Sequence, residues 1–321
     1  MPDDSRSVID ILRRRVLAGS RQPHGDGASV ALAVEGGAMR GVISAGMLSA
    51  LETLGYLHAF DAVYGASAGA INAAYFLAGQ AGIGTTIYHE DINNRRFIDL
   101  SRPLRGRPIV DLAFLLDEVA GRRKPLDVER VISGASSLRV LATDVAAERA
   151  CVLEGFTDAA GLLGALRAGA TMPVIAGTPF EYRTRRFLDA SLTEPIPVPT
   201  AEADGHTHVV ALLTRSGTMR PNVSAFDRYF VGPRLRRVSP TLAVRYLTRA
   251  VAYAEILEAV DAGTGPLGRA HVLAIRARGG AISKLECREE VLQAGARGGF
   301  EAVMETFDPG GRGQDDHRPG C

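Results

Sequence analysis

A chain of 321 residues, 46% of them hydrophobic, carries enough apolar material for the core of one large α/β domain. Its formal net charge of +1 supplies no long-range field to gather DNA or RNA, and no stretch interleaves basic with aromatic residues, so nucleic acid is not an expected partner. Cys151, Cys287 and Cys321 form no Cys-x-x-Cys pair, which excludes a disulfide framework or zinc cluster and fits a reducing cytoplasm. No basic start leads into an apolar run with a cleavage site, and no window approaches about 18 uninterrupted apolar residues, so secretion and membrane spanning are disfavoured. Lys124 and Lys284 are the only lysines; with the Ala/Gly richness this arginine bias suggests a GC-rich bacterial genome.

Residues 1–28 read as an N-terminal helix or flexible segment. Val8, Ile9, Ile11, Leu12, Val16 and Leu17 make one apolar face beside Arg13–Arg15, suited to packing on its own domain or to resting on an anionic membrane. Residues 29–307 are expected to form the main domain. Ser29–Val34 is a near-continuous apolar run, as in a strand buried on both faces of a parallel sheet. A Gly-rich turn follows at Glu35–Gly41, then a helix through Val42–Leu54 stopped by Gly55, then a strand at Phe60–Gly65 and a helix at Ala68–Leu77. From about 80 to 137 the pattern is irregular and Arg-rich around a predicted helix at Ile109–Ala120. This stretch reads as an insertion or cap near the active-site face. Strand character returns at Leu138–Val145, Arg186–Leu188, Thr207–Thr214 and His271–Ala277. Helices are predicted at Gly161–Ala168, Thr241–Val260 and Lys284–Glu305, and a Pro-rich loop at Pro195–Pro199. Residues 308–321 are Gly/Asp/Pro-rich and expected to be disordered.

The chemistry concentrates at two turns. Gly65-Ala66-Ser67-Ala68-Gly69 follows a strand and opens a small-residue helix, the setting of a nucleophile elbow with Ser67 exposed at its apex. Acyl transfer also needs N–H donors where negative charge develops on the carbonyl oxygen. The small residues of Gly36-Gly37-Ala38-Met39-Arg40-Gly41 leave such donors uncovered, and the adjacent strands of a βαβ unit place this turn beside Ser67. A dinucleotide loop is the competing reading. A Rossmann site, however, wants an acidic residue ending the second strand, where this chain has Gly65-Ala66-Ser67.

Three ordered segments resemble the patatin-like phospholipase family, particularly its bacterial branch. Gly36–Gly41 looks like the family's oxyanion segment, Gly65–Gly69 is similar to its Gly-x-Ser-x-Gly elbow, and Phe187-Leu188-Asp189-Ala190-Ser191 resembles its Asp-Gly-Gly/Ala segment. Thr193–Val198 continues the likeness. The resemblance implies a three-layer α/β/α sandwich around a mainly parallel sheet and a lipid acyl hydrolase of the phospholipase A, lysophospholipase or esterase type. It implies Ser67 as nucleophile, Asp189 as general base, and Gly36, Gly37, Ala38, Met39, Arg40 and Gly41 as the oxyanion hole, with Gly65 and Gly69 framing the elbow. A lipid ester substrate and transient contact with a membrane or micelle surface follow from the same likeness, with no cofactor or metal required.

Two positions depart from the family pattern. Ala38 replaces a third glycine and adds a methyl where the backbone should approach the substrate, while Ala190 follows the aspartate where glycine is usual and resists the positive φ angles that glycine permits; either change is expected to lower activity. A catalytically weakened lipid- or acyl-binding protein is therefore a second reading, and a Gly-loop nucleotide binder a third. A Ser–His–Asp triad would instead draw its base from His206, His208 or His271. Glu35 and Asp144 are possible support residues by position, and Arg167 carries no assigned role.

Overall fold

The computed structural model describes residues 4–20, 22–215, 223–277 and 280–308. The predicted disordered tail therefore lies, from residue 309 on, outside the described residues.

Helix α1 (Asp4–Leu17) leads to β1 (Val30–Val34), whose alternating side chains divide between two cores. Val30, Leu32 and Val34 face one apolar cluster and Ala31 and Ala33 the other, because successive strand residues point to opposite faces. On the first face lie α1, α2 (Val42–Thr53), α3 (Ala68–Leu77) and, beside them, α4 (Ala81–Glu90). The apolar face of α1 is spent on the fold rather than on a membrane. Val8, Ile11 and Leu12 are buried in this core, and the buried Arg15 guanidinium donates to the Ala59 and Ala28 carbonyls and to Asp26 and Asp61.

Strand β2 (Ala62–Ala66) pairs in parallel with β1. After α5 (Val128–Ser133), β3 (Ser137–Asp144) pairs in parallel with β2, then turns through a hairpin into β4 (Arg149–Leu153). Helix α6 (Ala159–Ala170) leads to an antiparallel pair, β5 (Phe180–Tyr182) and β6 (Arg185–Asp189). Helix α7 (Val198–Ala203) precedes β7 (His208–Leu213), and α8 (Gly232–Val238) and α9 (Pro240–Asp261) precede β8 (His271–Arg276) and α10 (Glu289–Phe307). The sheet order is β5-β6-β3-β2-β1-β7-β8, with β4 on β3. Pairings among β3, β2, β1, β7 and β8 are parallel, and those of β4, β5 and β6 are antiparallel. Residues of α7 and α9, including Val198, Ala201, Tyr253 and Leu257, cover the second face. This is a three-layer α/β/α sandwich with a mainly parallel sheet, as expected.

Several local expectations are revised. The helix expected at Ile109–Ala120 is a wide, π-type helix at Phe114–Arg123, since Val110 is held outside it by a bridge to Ile98. The Pro-rich stretch is only partly a loop: Pro199 lies in the first turn of α7, where its missing N–H costs nothing. Helix α10 starts at Glu289, so Lys284 belongs to the preceding loop.

Helices α2 and α10 approach closely enough that only glycine fits. A Cβ on Gly46 would stand 2.1 Å from the Ala296 carbonyl oxygen, and one on Gly299 would stand 2.1 Å from that of Ile43. Because both obstacles are backbone, relief requires moving a helix. Gly46→Ala is expected to lower stability by about 2 kcal/mol, measured by urea unfolding; a loss below about 0.5 kcal/mol would show that the crossing is slack.

Candidate active site

Strands β2 and β6 explain how two residues far apart in sequence meet. Strand β4 takes one edge of β3, so β2 and β6 share the other: Leu141 pairs with Ala66, and the next residue, Ala142, pairs with Asp189. The two strands run in opposite directions and abut, which sets the residue after β2 against the last residue of β6. Ser67 Oγ accordingly donates a 2.6 Å hydrogen bond to Asp189 Oδ2.

Ser67 holds φ 55° and ψ −127°, a strained backbone for a non-glycine residue that costs about 1–3 kcal/mol. The neighbouring glycines prevent collisions, and the positive φ of this turn falls on Ser67 itself. A Cβ on Gly65 would lie 2.3 Å from Ala70 Cα, one on Gly69 2.4 Å from the Val34 carbonyl oxygen, and one on Gly36 2.2 Å from that of Ala66. These close approaches bring the turn after β1 against the elbow.

Asp189 is buried, and burial pushes its carboxyl above the ordinary carboxylate value. Hydrogen bonds from Ser191 and Ser67 and the charge of Lys284 oppose that shift. Its other oxygen, Oδ1, accepts the Ser191 N–H at 2.8 Å, which fixes the carboxylate plane.

The glycine turn is divided in its roles. Gly37 at φ 151° and Ala38 at φ 52° turn the chain so that their N–H groups have no partner among the described residues. The N–H of Ala68, at the start of α3, is likewise without one, and all three residues line the cavity. Met39 and Arg40 do not supply free donors: the Met39 N–H donates to the Lys284 carbonyl at 3.2 Å and the Arg40 N–H to that of Gly37 at 3.2 Å. Nor does Gly41 line the cavity; a Cβ there would lie 2.7 Å from Tyr88 Oη, so its glycine serves packing. Gly36 lines the wall, and its carbonyl accepts from Thr214 Oγ1.

The cavity over Ser67 encloses about 490 Å³. Residues from the insertion, among them Ile87, Phe97, Leu112 and Leu115, join Ile71 and Tyr75 in an apolar wall. The stretch from 80 to 137 thus contributes to the cavity wall. None of its exposed arginines contributes to that wall.

No histidine among the described residues lines the cavity. His208 and His271 open β7 and β8, at the opposite end of the parallel strands from Ser67, with rings 5.3 Å apart. His206 contacts Ser29 Oγ at 2.8 Å and Tyr64 Oη at 3.1 Å. A Ser–His–Asp triad is excluded among these residues. Glu35 is buried beneath the turn, accepting from the Thr214 N–H at 2.6 Å and from Tyr253 at 3.0 Å. Asp144 caps the β3–β4 hairpin by accepting the N–H groups of Ala146 and Ala147, and Arg167 pairs with Asp117 at 2.7 Å, tying α6 to the insertion. Neither Asp144 nor Arg167 lines the cavity.

Sequence reading missed a buried polar network that anchors the turn. Asn72 Nδ2 donates to the Gly41 carbonyl at 2.8 Å and to Ser44 Oγ at 3.1 Å, while Tyr88 Oη donates to Asn72 Oδ1 at 3.0 Å. It also missed Arg215, Arg249 and Lys284 on the cavity wall. Only the rarity of lysine could have marked Lys284; the others carried no local signal.

A family profile described as patatin-like phospholipase matches residues 32–202, more than half of the chain. The chain belongs to the patatin-like phospholipase family. A protein of Escherichia coli (strain K12) described as uncharacterized protein YjjU is 26% identical over 208 residues, covering 62% of this chain and 56% of that protein. The match thus spans little more than half of the relative's length.

The two departures from the family pattern differ in consequence. Ala190 opens a short 3₁₀ turn without positive φ, and its methyl is fully buried, so alanine is at home there. Ala38 does occupy the left-handed region. Ala38→Gly is expected to raise stability by about 1 kcal/mol, by relieving left-handed strain. Ala190→Gly is expected to lose about 1 kcal/mol, from the buried methyl and the freer unfolded chain. Urea unfolding of both variants checks the pair; equal effects would contradict the assignment.

Proposed function

We propose that this patatin-like protein hydrolyses carboxylic esters of lipids through an acyl-enzyme on Ser67, with Asp189 as general base. The observation that carries this reading is the 2.6 Å hydrogen bond from Ser67 Oγ to Asp189 Oδ2 beside unpartnered N–H groups of the glycine turn. Ser67 Oγ attacks the ester carbonyl carbon as its proton passes to Asp189. The N–H groups of Gly37 and Ala38, with that of Ala68, receive the developing oxyanion. Collapse expels the alcohol, which takes the proton back from Asp189. Water then attacks the acyl carbon, Asp189 again accepts a proton, and the fatty acid leaves as Ser67 regains its hydrogen. Burial of Asp189 serves this cycle, because a carboxylate of ordinary pKa is a weak base towards a hydroxyl.

The apolar wall favours an acyl chain over a nucleotide as the occupant. Around the mouth, Leu100 and Phe226 line the cavity while also being exposed, and their segments carry exposed Leu104, Tyr229 and Phe230. Exposed arginines lie in the same two segments: Arg95, Arg96, Arg105 and Arg107 in the first, Arg228, Arg234, Arg236 and Arg237 in the second. Exposed apolar residues with arginines in the same segments suit an anionic bilayer, which would deliver the ester to the cavity. Among the described residues no helix is long and apolar enough to cross a membrane.

Ser67→Ala and Asp189→Asn are each expected to lower kcat/KM for a short-chain p-nitrophenyl ester by at least about 10³-fold, while His206→Gln retains activity within about threefold. Since the base acts unprotonated and its carboxyl is raised, the acid limb of kcat/KM should fall off above the ordinary aspartate value of about 3.9. A wild-type level of turnover in Asp189→Asn would refute its role. For the surface, the chain's lack of tryptophan makes Leu104→Trp and Phe230→Trp clean reporters. Both should blue-shift on anionic phosphatidylglycerol vesicles and Leu267→Trp, at the far end of the strands, should not; equal shifts at all three would sink the docking face.

A further inference from the structure

The two lysines live in different surroundings. Lys124 pairs with Asp91 at 2.8 Å and with Glu90. Lys284 sits in the loop before α10, its carbonyl accepting the Met39 N–H, so its backbone is pinned to the glycine turn. Its side chain lines the same cavity as Ser67 and Asp189. Among the described residues it has neither an ion pair nor a side-chain hydrogen bond.

The acidic groups nearby are committed elsewhere. Glu35 accepts from Thr214 and Tyr253 and lies 3.5 Å from Arg215 Nε; Asp227 pairs with Arg249 at 2.8 Å and accepts from Tyr246. Asp189 is held by Ser67 and Ser191. Arg40, whose Nε donates to Thr214 Oγ1 at 3.2 Å, is buried beneath the turn. Lys284 shares the cavity wall with Arg40 from the turn after β1, Arg215 just past β7 and Arg249 from α9, whose charges act against its own, and with Asp189 of β6 as the opposing charge. Burial first, and then the three arginines, lower the lysine's pKa to about 8, with Asp189 working against them. A half-buried ammonium near three guanidinium groups, with Asp189 as the opposing charge, leaves positive charge that an anion would offset. The acyl chain belongs on the apolar wall, which leaves the polar half of the substrate for the charged side.

We propose that Lys284, backed by Arg40, Arg215 and Arg249, forms a subsite for an anionic oxygen group, phosphate or carboxylate, next to Ser67. This rests on the lipid-ester reading of the site and narrows it to esters that carry a negative charge close to the scissile bond. Lys284 selects such substrates and does not take part in bond breaking.

The decisive comparison is kcat/KM for 1-acylglycerol 3-phosphate over that for 1-acylglycerol with the same acyl chain. Wild type should favour the phosphate ester, Lys284→Met should lower that ratio by about tenfold or more, and Lys284→Arg should largely keep it. The wild-type preference should decline as pH rises through about 8, where the ammonium discharges, and Lys284→Arg should not show that decline. Lys124→Met should leave the ratio unchanged. An unaltered ratio in Lys284→Met, or a preference indifferent to pH in wild type, overturns the proposal.

Binding of the same two lipids to Ser67→Ala, with and without Lys284→Met, gives the readout independently of turnover. A protein inert towards both esters that still binds the phosphate lipid through Lys284 would fail the hydrolase reading and keep the subsite. Equal affinity with and without Lys284→Met would fail the subsite alone. Displacement by glycerol 3-phosphate assigns the anion to a headgroup, whereas displacement only by a free fatty acid assigns it to a carboxylate.

Discussion

The site depends on one shared strand edge. Because β4 closes one side of β3, β2 and β6 abut along the other, and Ser67 and Asp189 come within hydrogen-bond distance without any segment between them having to bend towards the site. The rest of the geometry keeps that junction in place. Glycines at 36, 65 and 69 remove side chains that would collide with neighbouring backbone, and the Asn72–Ser44–Tyr88 network fastens the glycine turn to α3 and α4. Rigid elements, not loops, thus set the distance between the serine and the carboxylate.

This arrangement carries a thermodynamic cost in two places. Ser67 holds a backbone conformation that a serine rarely adopts, and Asp189 is a buried carboxyl whose pKa is raised. A folded-state pKa above the unfolded one means that the native protein binds this proton more tightly. Its contribution to stability is largest at low pH and falls as pH rises towards the raised value. On the proposed mechanism the same burial makes the carboxylate a better base, so function and stability would pull in opposite directions at this residue.

Much of this was legible in the chain because local rules and the fold agree. The apolar runs at Ser29–Val34 and Thr207–Thr214, the elbow around Ser67 and the strand delivering Asp189 are all written in short spans of sequence. What escaped was decided by partners distant in sequence. Whether Met39 or Ala38 presents a free N–H depends on the Lys284 carbonyl more than 240 residues away. Lys284 itself reads as helical from the sequence, yet the first turn of α10 begins only at Glu289. The insertion looked irregular because much of it is irregular: one of its helices is wound wide, and several of its apolar residues line the cavity.

The central claim is that Ser67 is the nucleophile of a lipid-ester hydrolase. Reaction of the intact protein with a fluorophosphonate, followed by mass spectrometry of its peptides, tests it most directly. The account predicts one covalent adduct per chain, on the peptide carrying Ser67, formed quickly in wild type and much more slowly in Asp189→Asn. Absence of the adduct from wild type, or an adduct on any other residue, would contradict it.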